Sequence, residues 1–172
     1  MDKIKAILTS NKISSNSTSA NDLFSAQRFG EQVGEKIQYT LTEALFLAEA
    51  GKMDIYAQSK KLSQKQILSK FEKLDKKFMT KYIVFKDLRE KGYVVKTALK
   101  FGAEVRVYEK GKTIDNSHAK WILYPVDETE AMTWHDFSAK NRVSHSVNKN
   151  LLIAVVDEES DVSYYEVKWT RP

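Results

Sequence analysis

The chain has 172 residues, of which 42% are hydrophobic and 30% charged, a balance typical of a globular protein with a buried core. It contains no cysteine, which excludes disulfides, thiolate zinc sites and cysteine nucleophiles. Its formal net charge of +5 favours a polyanionic partner, because cations that neutralise phosphates release condensed counterions. The chain shows neither an apolar run near the roughly 20 residues of a membrane span nor a signal-peptide pattern, so we expect a cytoplasmic protein.

The first fifty residues predict a strand, a loop and a short helix. Residues 1–8 alternate charged and apolar side chains, which is typical of an edge strand. Residues 9–21 are dominated by Ser, Asn and Thr, which compete for backbone hydrogen bonds, and they predict a mobile loop. Thr40 and Glu43 have the spacing of a helix capping box, an apolar stretch follows, and Gly51 suits a left-handed helix stop. A short buried helix is therefore predicted between Thr40 and Gly51.

A lysine-rich helix follows. Ser63 and Gln66 repeat the capping-box spacing at its start. Lysines occupy one face, and apolar side chains recur at helical intervals on the other, at Ile67, Leu68, Phe71, Leu74 and Phe78. We interpret the lysine face as solvated helix surface in preference to an RNA-binding patch. The next helix is predicted from about residue 82 to near Gly92.

After Gly92 the hydrophobic period changes from that of helices to that of strands. Strands are predicted at residues 93–100, 104–109, 118–126, 151–157 and 162–169. Between the third and fourth of them, residues 133–147 predict a helix with Thr133 as its cap. The predicted fold class is α/β (α+β), with a small α+β domain over residues 1–79 and a sheet flanked by helices over residues 80–172.

Three motifs follow one another in the carboxyl-terminal half. The first motif spans residues 86–108 and ends at Tyr108. His118 follows ten residues later. Lys149 comes 31 residues after His118, just before an apolar stretch. In their order, spacing and flanking residues, these motifs resemble the catalytic domain of the archaeal tRNA-splicing endonucleases, over a little more than half of the chain. One departure is Asn148, where family members often carry a basic residue that could contact phosphate.

The resemblance implies a restriction-endonuclease-like mixed sheet and RNA cleavage without a metal or other cofactor. Tyr108 would be the general base, His118 the general acid and Lys149 the electrostatic stabiliser. The products would be a 2′,3′-cyclic phosphate and a free 5′-hydroxyl. The alternative readings are a non-cleaving RNA-binding module or a structural subunit of the same assembly, and the presence of all three residues argues against both.

The residue types support these roles unequally. Histidine titrates close to neutral pH, which suits an acid catalyst. A phenol is almost wholly protonated at pH 7, so Tyr108 either becomes a phenolate beside the Lys149 ammonium or only positions the 2′-hydroxyl. His135 and His145 are interpreted as a helix-surface residue and a structural hydrogen-bonding residue. A metal-dependent nuclease is disfavoured, because no Asp/Glu…Glu-x-Lys pattern lies beside the predicted site.

The resemblance also implies the substrate, a precursor tRNA folded as a bulge–helix–bulge. Arg142 matches the family arginine that sandwiches a bulge base, and Trp169 is our candidate for the second planar side chain by its position. Stacked bases contribute about 1–3 kcal/mol each. The simpler readings are a helix-surface charge for Arg142 and core or interface packing for Trp169.

The last hairpin is predicted to serve assembly. Asp157, Glu158, Glu159 and Asp161 read as a solvated turn, but in the family an acidic loop at this place inserts into a basic groove of a neighbouring subunit. The final strand would form an apolar dimer surface through Val162, Tyr164, Val167 and Trp169. Some heteromeric family members carry an insertion before the segment that corresponds to residues 41–45. This chain has no extra loop there, so we expect a homotetramer. An α2β2 complex with a structural subunit is the alternative.

Overall fold

The computed structural model describes residues 2–97, 105–111 and 118–170. Their contacts divide the chain into two compact units, Met1–Met79 and Thr80–Pro172. Both units combine helices with a mixed sheet, so the predicted α+β class is confirmed. No helix in these described ranges is long and apolar enough to cross a membrane.

The first unit contains a six-stranded mixed sheet and three helices within the described residues. The strands are β1 (Ile4–Thr9), β2 (Lys12–Ser15), β3 (Glu31–Val33), β4 (Lys36–Tyr39), β5 (Met53–Ala57) and β6 (Lys60–Lys61). The helices are α1 (Thr18–Gln27), α2 (Leu41–Glu49) and α3 (Gln64–Leu74). The spatial order of the strands is β3-β4-β2-β1-β5-β6, in which β1 and β5 are parallel and the other neighbours antiparallel.

The two faces of this sheet differ in burial. Along β1, Ile4 and Ala6 are buried, whereas Lys5 and Ile7 are exposed. The same alternation runs through β2, β4 and β5, because successive side chains of a strand point to opposite faces. One face therefore forms the core of the unit, and the opposite face is open to solvent.

Two predictions for the first residues are wrong. β1 was predicted as an edge strand, but it is a central strand that pairs with β2 and β5. The prediction failed because alternating burial shows that one face of a strand is buried and does not show how many strands pair with it. The predicted loop 9–21 contains β2 and the start of α1. Its serines are used in the fold: the Ser15 hydroxyl donates to the Lys5 carbonyl at 2.7 Å, and Ser17 accepts the Ala20 N–H as the cap of α1.

The helix starts are close to those predicted. Thr40 and Ser63 form complete capping boxes at α2 and α3, and Thr133 caps its helix by accepting the Asp136 N–H. Gly51 follows α2 with a φ of +70°, as its predicted left-handed conformation requires. The next helix, α4 (Phe78–Glu90), begins four residues before the predicted position and includes Phe78.

The second unit contains, with most of α4, a five-stranded sheet and one further helix in its described residues. These elements are β7 (Val94–Thr97), β8 (Val105–Tyr108), β9 (Trp121–Asp127), α5 (Trp134–Ser146), β10 (Asn150–Val156) and β11 (Val162–Val167). The strand order is β11-β10-β9-β8-β7, and only β9 and β10 are parallel. Helix α5 packs on one face, where Phe137 and Val143 contact a cluster of Ile122, Tyr124 and Leu151.

The predicted strands of this unit all correspond to observed ones, with shifted ends. The third predicted strand begins at Trp121 and not at His118, and the fifth ends at Val167. The end of the first prediction and the start of the second fall on residues 98–104, which lie outside the described residues.

Candidate active site

The three residues predicted for catalysis lie at one end of the five-stranded sheet. Tyr108 is the last residue of β8, Lys149 directly precedes β10, and His118 lies three residues before β9. Strand β8 runs antiparallel to β9, and β10 runs parallel to β9. The carboxyl end of β8 and the amino ends of β9 and β10 therefore meet at the same edge of the sheet.

Lys120 lies between Tyr108 and Lys149 in this row. Its N–H donates to the Val107 carbonyl at 3.0 Å, and its carbonyl accepts the Asn150 N–H at 3.1 Å. Since neighbouring strands are about 4.8 Å apart, the backbones of Tyr108 and Lys149 are separated by roughly 10 Å. Two long side chains can approach a common group across such a gap.

Tyr108 is a buried residue at the end of its strand, where it pairs with Val94 of β7. It is only 6% exposed. Arg106 pairs with Ile122 across β8 and β9, and Ile122 belongs to the cluster that packs against α5. Because side chains alternate along a strand, Tyr108 shares this face with Arg106 and Ile122.

The end of α5 places Lys149. The Asn148 N–H donates to the His145 carbonyl and the Lys149 N–H to the Ser144 carbonyl, both at 3.0 Å, while Asn148 has a φ of +54°. This pattern is the Schellman motif, in which a left-handed residue ends the helix. The half-buried Lys149 then directs its Nζ to the Val147 carbonyl at 3.3 Å, which fixes a cation at the sheet edge.

His118 is exposed and lies two residues before Lys120, whose side chain takes part in an ion pair. Two residues later, the Lys120 ammonium pairs with a Glu109 carboxylate oxygen at 3.0 Å and lies 4.6 Å from the centre of the Trp121 ring. This ion pair joins the two ends of the connection between β8 and β9, and so ties the His118 segment to the residue after Tyr108. This pair was not predicted from the sequence, although its opposite charges follow one strand and precede the next.

Arg142 lies on α5, and Trp169 contacts the same side of this helix. Arg142 is exposed, and His145 lies one helical turn after it, so the two residues share a side of the helix. The Trp169 ring centre is 4.6 Å from that of His145, with an angle of 40° between the planes. The described contact of the His145 ring is thus with Trp169. His135 lies at the opposite end of α5, beside Asp136.

The acidic loop lies at the other end of the sheet, between β10 and β11. The Asp161 N–H donates to a carboxylate oxygen of Asp157 at 2.8 Å, and the Glu158 N–H donates to the Glu128 carboxylate at 2.9 Å. Asp157 therefore closes the turn. Glu158, Glu159 and Asp161 are exposed to solvent.

The predicted dimer surface of the last strand is divided between two faces. The Tyr164 hydroxyl donates to Asp87 of α4 at 2.7 Å, and Val167 packs on the cluster beneath α5. Tyr165, which was not among the residues predicted for this surface, is 58% exposed, and Trp169 is 49% exposed. The large exposed aromatic side chains in this region are therefore Tyr165 on the edge strand and Trp169 two residues after it.

Across residues 2–97, 105–111 and 118–170, no group of three or more His, Asp or Glu side chains is close enough to hold a metal ion. Among the described residues, the charged groups at the site edge include the cations Lys120 and Lys149 and the carboxylate of Glu109. This set offers proton transfer and charge stabilisation by side chains.

The chain is similar to known proteins over both units. Residues 78–164 match the family model of the tRNA intron endonuclease, catalytic C-terminal domain, and residues 4–68 match that of its N-terminal domain. The tRNA-splicing endonuclease of Thermococcus onnurineus is 41% identical over 151 residues, which cover 88% of this chain and 86% of that protein. The homologue from Thermococcus gammatolerans is 37% identical over 158 residues, or 92% of each chain. That of Nanoarchaeum equitans is 41% identical over 138 residues, covering 77% and 88%. Trp169 lies beyond the catalytic-domain match.

Proposed function

Since the chain belongs to the tRNA intron endonuclease family, we propose that it excises introns from precursor tRNA by cutting both splice sites of a bulge–helix–bulge. The proposed reaction is a metal-independent transesterification that leaves 2′,3′-cyclic phosphate and 5′-hydroxyl ends. The observation that carries this proposal is the position of Tyr108, His118 and Lys149 at one edge of a sheet, where Tyr108 ends β8, Lys149 directly precedes β10 and His118 lies three residues before β9.

The three side chains supply the groups that the reaction needs. A base removes the proton of the 2′-hydroxyl, the 2′-oxygen attacks phosphorus, the bond from phosphorus to the 5′-oxygen breaks, and an acid protonates that oxygen. His118 is exposed and can protonate the leaving oxygen, while the Lys149 ammonium stabilises the added negative charge of the transition state. Each positioned proton transfer contributes about 10²–10⁴-fold in rate, and a fixed donor contributes a few kcal/mol.

Tyr108 has two possible roles at the attacking oxygen. As a phenolate it would take the 2′-proton, and as a phenol it would orient the 2′-hydroxyl by a hydrogen bond. Its burial in the sheet supports either role, because packing restricts the side chain and so favours one geometry of the nucleophile. The two roles differ in how much rate is lost when the hydroxyl is removed.

Arg142 and Trp169 are proposed to hold a bulge base. The contact of Trp169 with His145 brings its ring to the side of α5 that carries Arg142, and both residues are exposed. A guanidinium plane and an indole can sandwich a base that has left the helical stack. An Arg142→Ala variant that assembles normally but cuts poorly would support the clamp, and unchanged binding and cleavage would remove it.

Two cuts at fixed separation require two active sites, and this chain carries one triad. We therefore propose a homotetramer, in which the exposed Glu158, Glu159 and Asp161 dock into a basic groove of a neighbouring copy. Asp157 would support this loop from within, since it closes the turn. The alternative is an α2β2 complex with a separate structural subunit.

The experiment is cleavage of an end-labelled bulge–helix–bulge RNA by the purified chain in EDTA, with both cut sites and the chemistry of the new ends determined. His118→Ala should abolish cutting at both sites. His135→Ala is the matched control, because it removes an imidazole at the far end of α5 and should leave the rate within about twofold.

Two cuts with cyclic phosphate ends, lost only in His118→Ala, would support the proposal. Activity that EDTA abolishes would overturn the metal-independent reaction. Binding without any cutting, also after addition of a structural subunit, would favour the non-cleaving reading.

A further inference from the structure

The six-stranded sheet of the first unit has an open face with no role in the proposed reaction. Ile7 lies at its centre on β1, paired with Ser14 of β2 on one side and Tyr56 of β5 on the other. Its side chain is nevertheless 59% exposed. No described element therefore covers the middle of this face.

The open face carries an excess of positive charge. By the alternation of each strand, the lysines on it are Lys5, Lys12, Lys36 and Lys61, and the carboxylates are Glu31 and Asp54. Asp54 already pairs with Lys61 at 2.8 Å. The side chains of Lys5, Lys12 and Lys36 are exposed and make no ion pair or hydrogen bond with any described residue.

The lysines are spread over the face and not gathered at one point. Lys36 on β4 and Lys5 on β1 are two strands apart, which is about 10 Å, and Lys12 lies opposite Thr9, about 13 Å along β1 from Lys5. The row between them contains the exposed Ile7 and, beside it, the half-buried polar side chains of Gln38, Ser14 and Tyr56. The face thus offers separated cations with hydroxyl and amide groups among them.

We propose that this open face binds the phosphate backbone of the precursor tRNA, as a second RNA contact apart from the cleavage site. The inference rests on the proposed action on precursor tRNA. Ammonium groups are effective phosphate ligands, and sheet faces with an aromatic side chain serve as RNA-binding surfaces in other folds. A protein partner fits less well, because interface cores are depleted in lysine and unpaired buried charges are costly.

The test is equilibrium binding of a precursor tRNA to the full chain as a function of salt, in a Lys5→Gln, Lys12→Gln, Lys36→Gln triple variant. Each lost phosphate contact lowers the slope of log affinity against log salt by about 0.7–0.9, so the slope should fall by roughly 2–3. At low salt the dissociation constant should rise about tenfold. At saturating RNA the cleavage rate should stay unchanged, because the triad is intact.

The matched control replaces Lys65, Lys70 and Lys73 of α3 by Gln, which removes the same charge from an exposed helix surface of the same unit. This control should retain the original slope. An equal loss in both variants would overturn the proposal, because only net charge would then matter. An unchanged slope in the sheet variant would overturn it as well.

An Ile7→Glu variant separates RNA from a second copy of the chain as the occupant. If RNA binds here, the negative charge should weaken RNA binding without altering the mass of the assembly. A smaller assembly would show that the face is a protein interface and would overturn the proposal. These readouts are binding and mass, so they remain informative if cleavage itself fails.

Discussion

The backbone of Asn148 determines where Lys149 lies. With its φ of +54°, Asn148 is in the left-handed region, which asparagine tolerates better than most residues. The next residue then donates its N–H back to Ser144, so the chain leaves α5 and enters β10 within a few residues. Asn148 is thus suited to a structural role at this helix end.

We expect Asn148→Val to lower the free energy of unfolding by about 1–2 kcal/mol, because a β-branched side chain is strained in this conformation. Since displaced catalytic groups lose up to about 10²-fold in rate, kcat should fall at least about tenfold. Asn148→Gly, which accepts the same φ, should keep both values close to those of the natural chain. Urea unfolding and single-turnover cleavage measure the two effects, and equal kcat in both variants would contradict the argument.

Tyr108→Phe tests the role of the phenolic hydroxyl without changing the packing of the ring. If Tyr108 is the general base, kcat should fall by about 10²–10⁴-fold with little change in KM. The free energy of unfolding should be nearly unchanged, because the 6% exposed ring stays in place. A variant that retains most of its activity would exclude the base and leave only a positioning role.

At the scale of elements, α4 and the edge strand β11 are joined by a small polar cluster. The Asp87 carboxylate accepts hydrogen bonds from the Tyr164 hydroxyl and from the Lys91 ammonium, both at 2.7 Å. Burial, and then the hydrogen bond to Asp87, raises the pKa of Tyr164 well above its usual range. The neutral phenol is therefore the form that stabilises the folded state.

This link predicts a pH dependence of stability. Because the pKa of Tyr164 is raised on folding, its contribution is complete below about pH 10, the value for an unfolded tyrosine, and is lost as pH rises beyond it. Tyr164→Phe should lower the free energy of unfolding by about 1 kcal/mol at pH 7. The difference between the two proteins should shrink above pH 10, as measured by urea unfolding at both pH values. A difference independent of pH would contradict this assignment.

At the scale of the whole molecule, we propose that the exposed side of β11 joins two copies of the chain. β11 is an edge strand, so its outer backbone groups have no strand partner in the described sheet. Tyr165 and Trp169 add exposed aromatic area next to it. Aromatic side chains are enriched in protein interfaces and frequently dominate their stability.

We expect the purified chain to form an assembly of about four times 19.8 kDa, and Tyr165→Glu to reduce its mass in sedimentation equilibrium. A charge in the centre of an apolar contact is desolvated without a partner, which weakens association. Leu74→Glu, on the 44% exposed Leu74 of α3, is the control and should leave the mass unchanged. A dimer that stays inactive until another protein is added would support the α2β2 alternative.

The local signals in the sequence were more informative than its composition. The capping boxes at Thr40 and Ser63 and the cap at Thr133 predict helices that the structure contains, because each cap depends on residues three apart. The polar composition of residues 9–21 predicts a loop, whereas the segment contains β2 and the start of α1. Ser15 bonds to the Lys5 carbonyl, a neighbour that only the folded sheet provides.

The sequence by itself determined the α+β class, the starts of the capped helices and the membership of the tRNA intron endonuclease family. The roles of Tyr108, His118 and Lys149 stay predictions that cleavage assays decide. Only the tertiary structure decided that β1 is central and that these three residues, spread over 41 positions, meet at one edge of the sheet. The physical reason is that caps and periodicity act between near neighbours, whereas strand order and register depend on hydrogen bonds between distant parts of the chain.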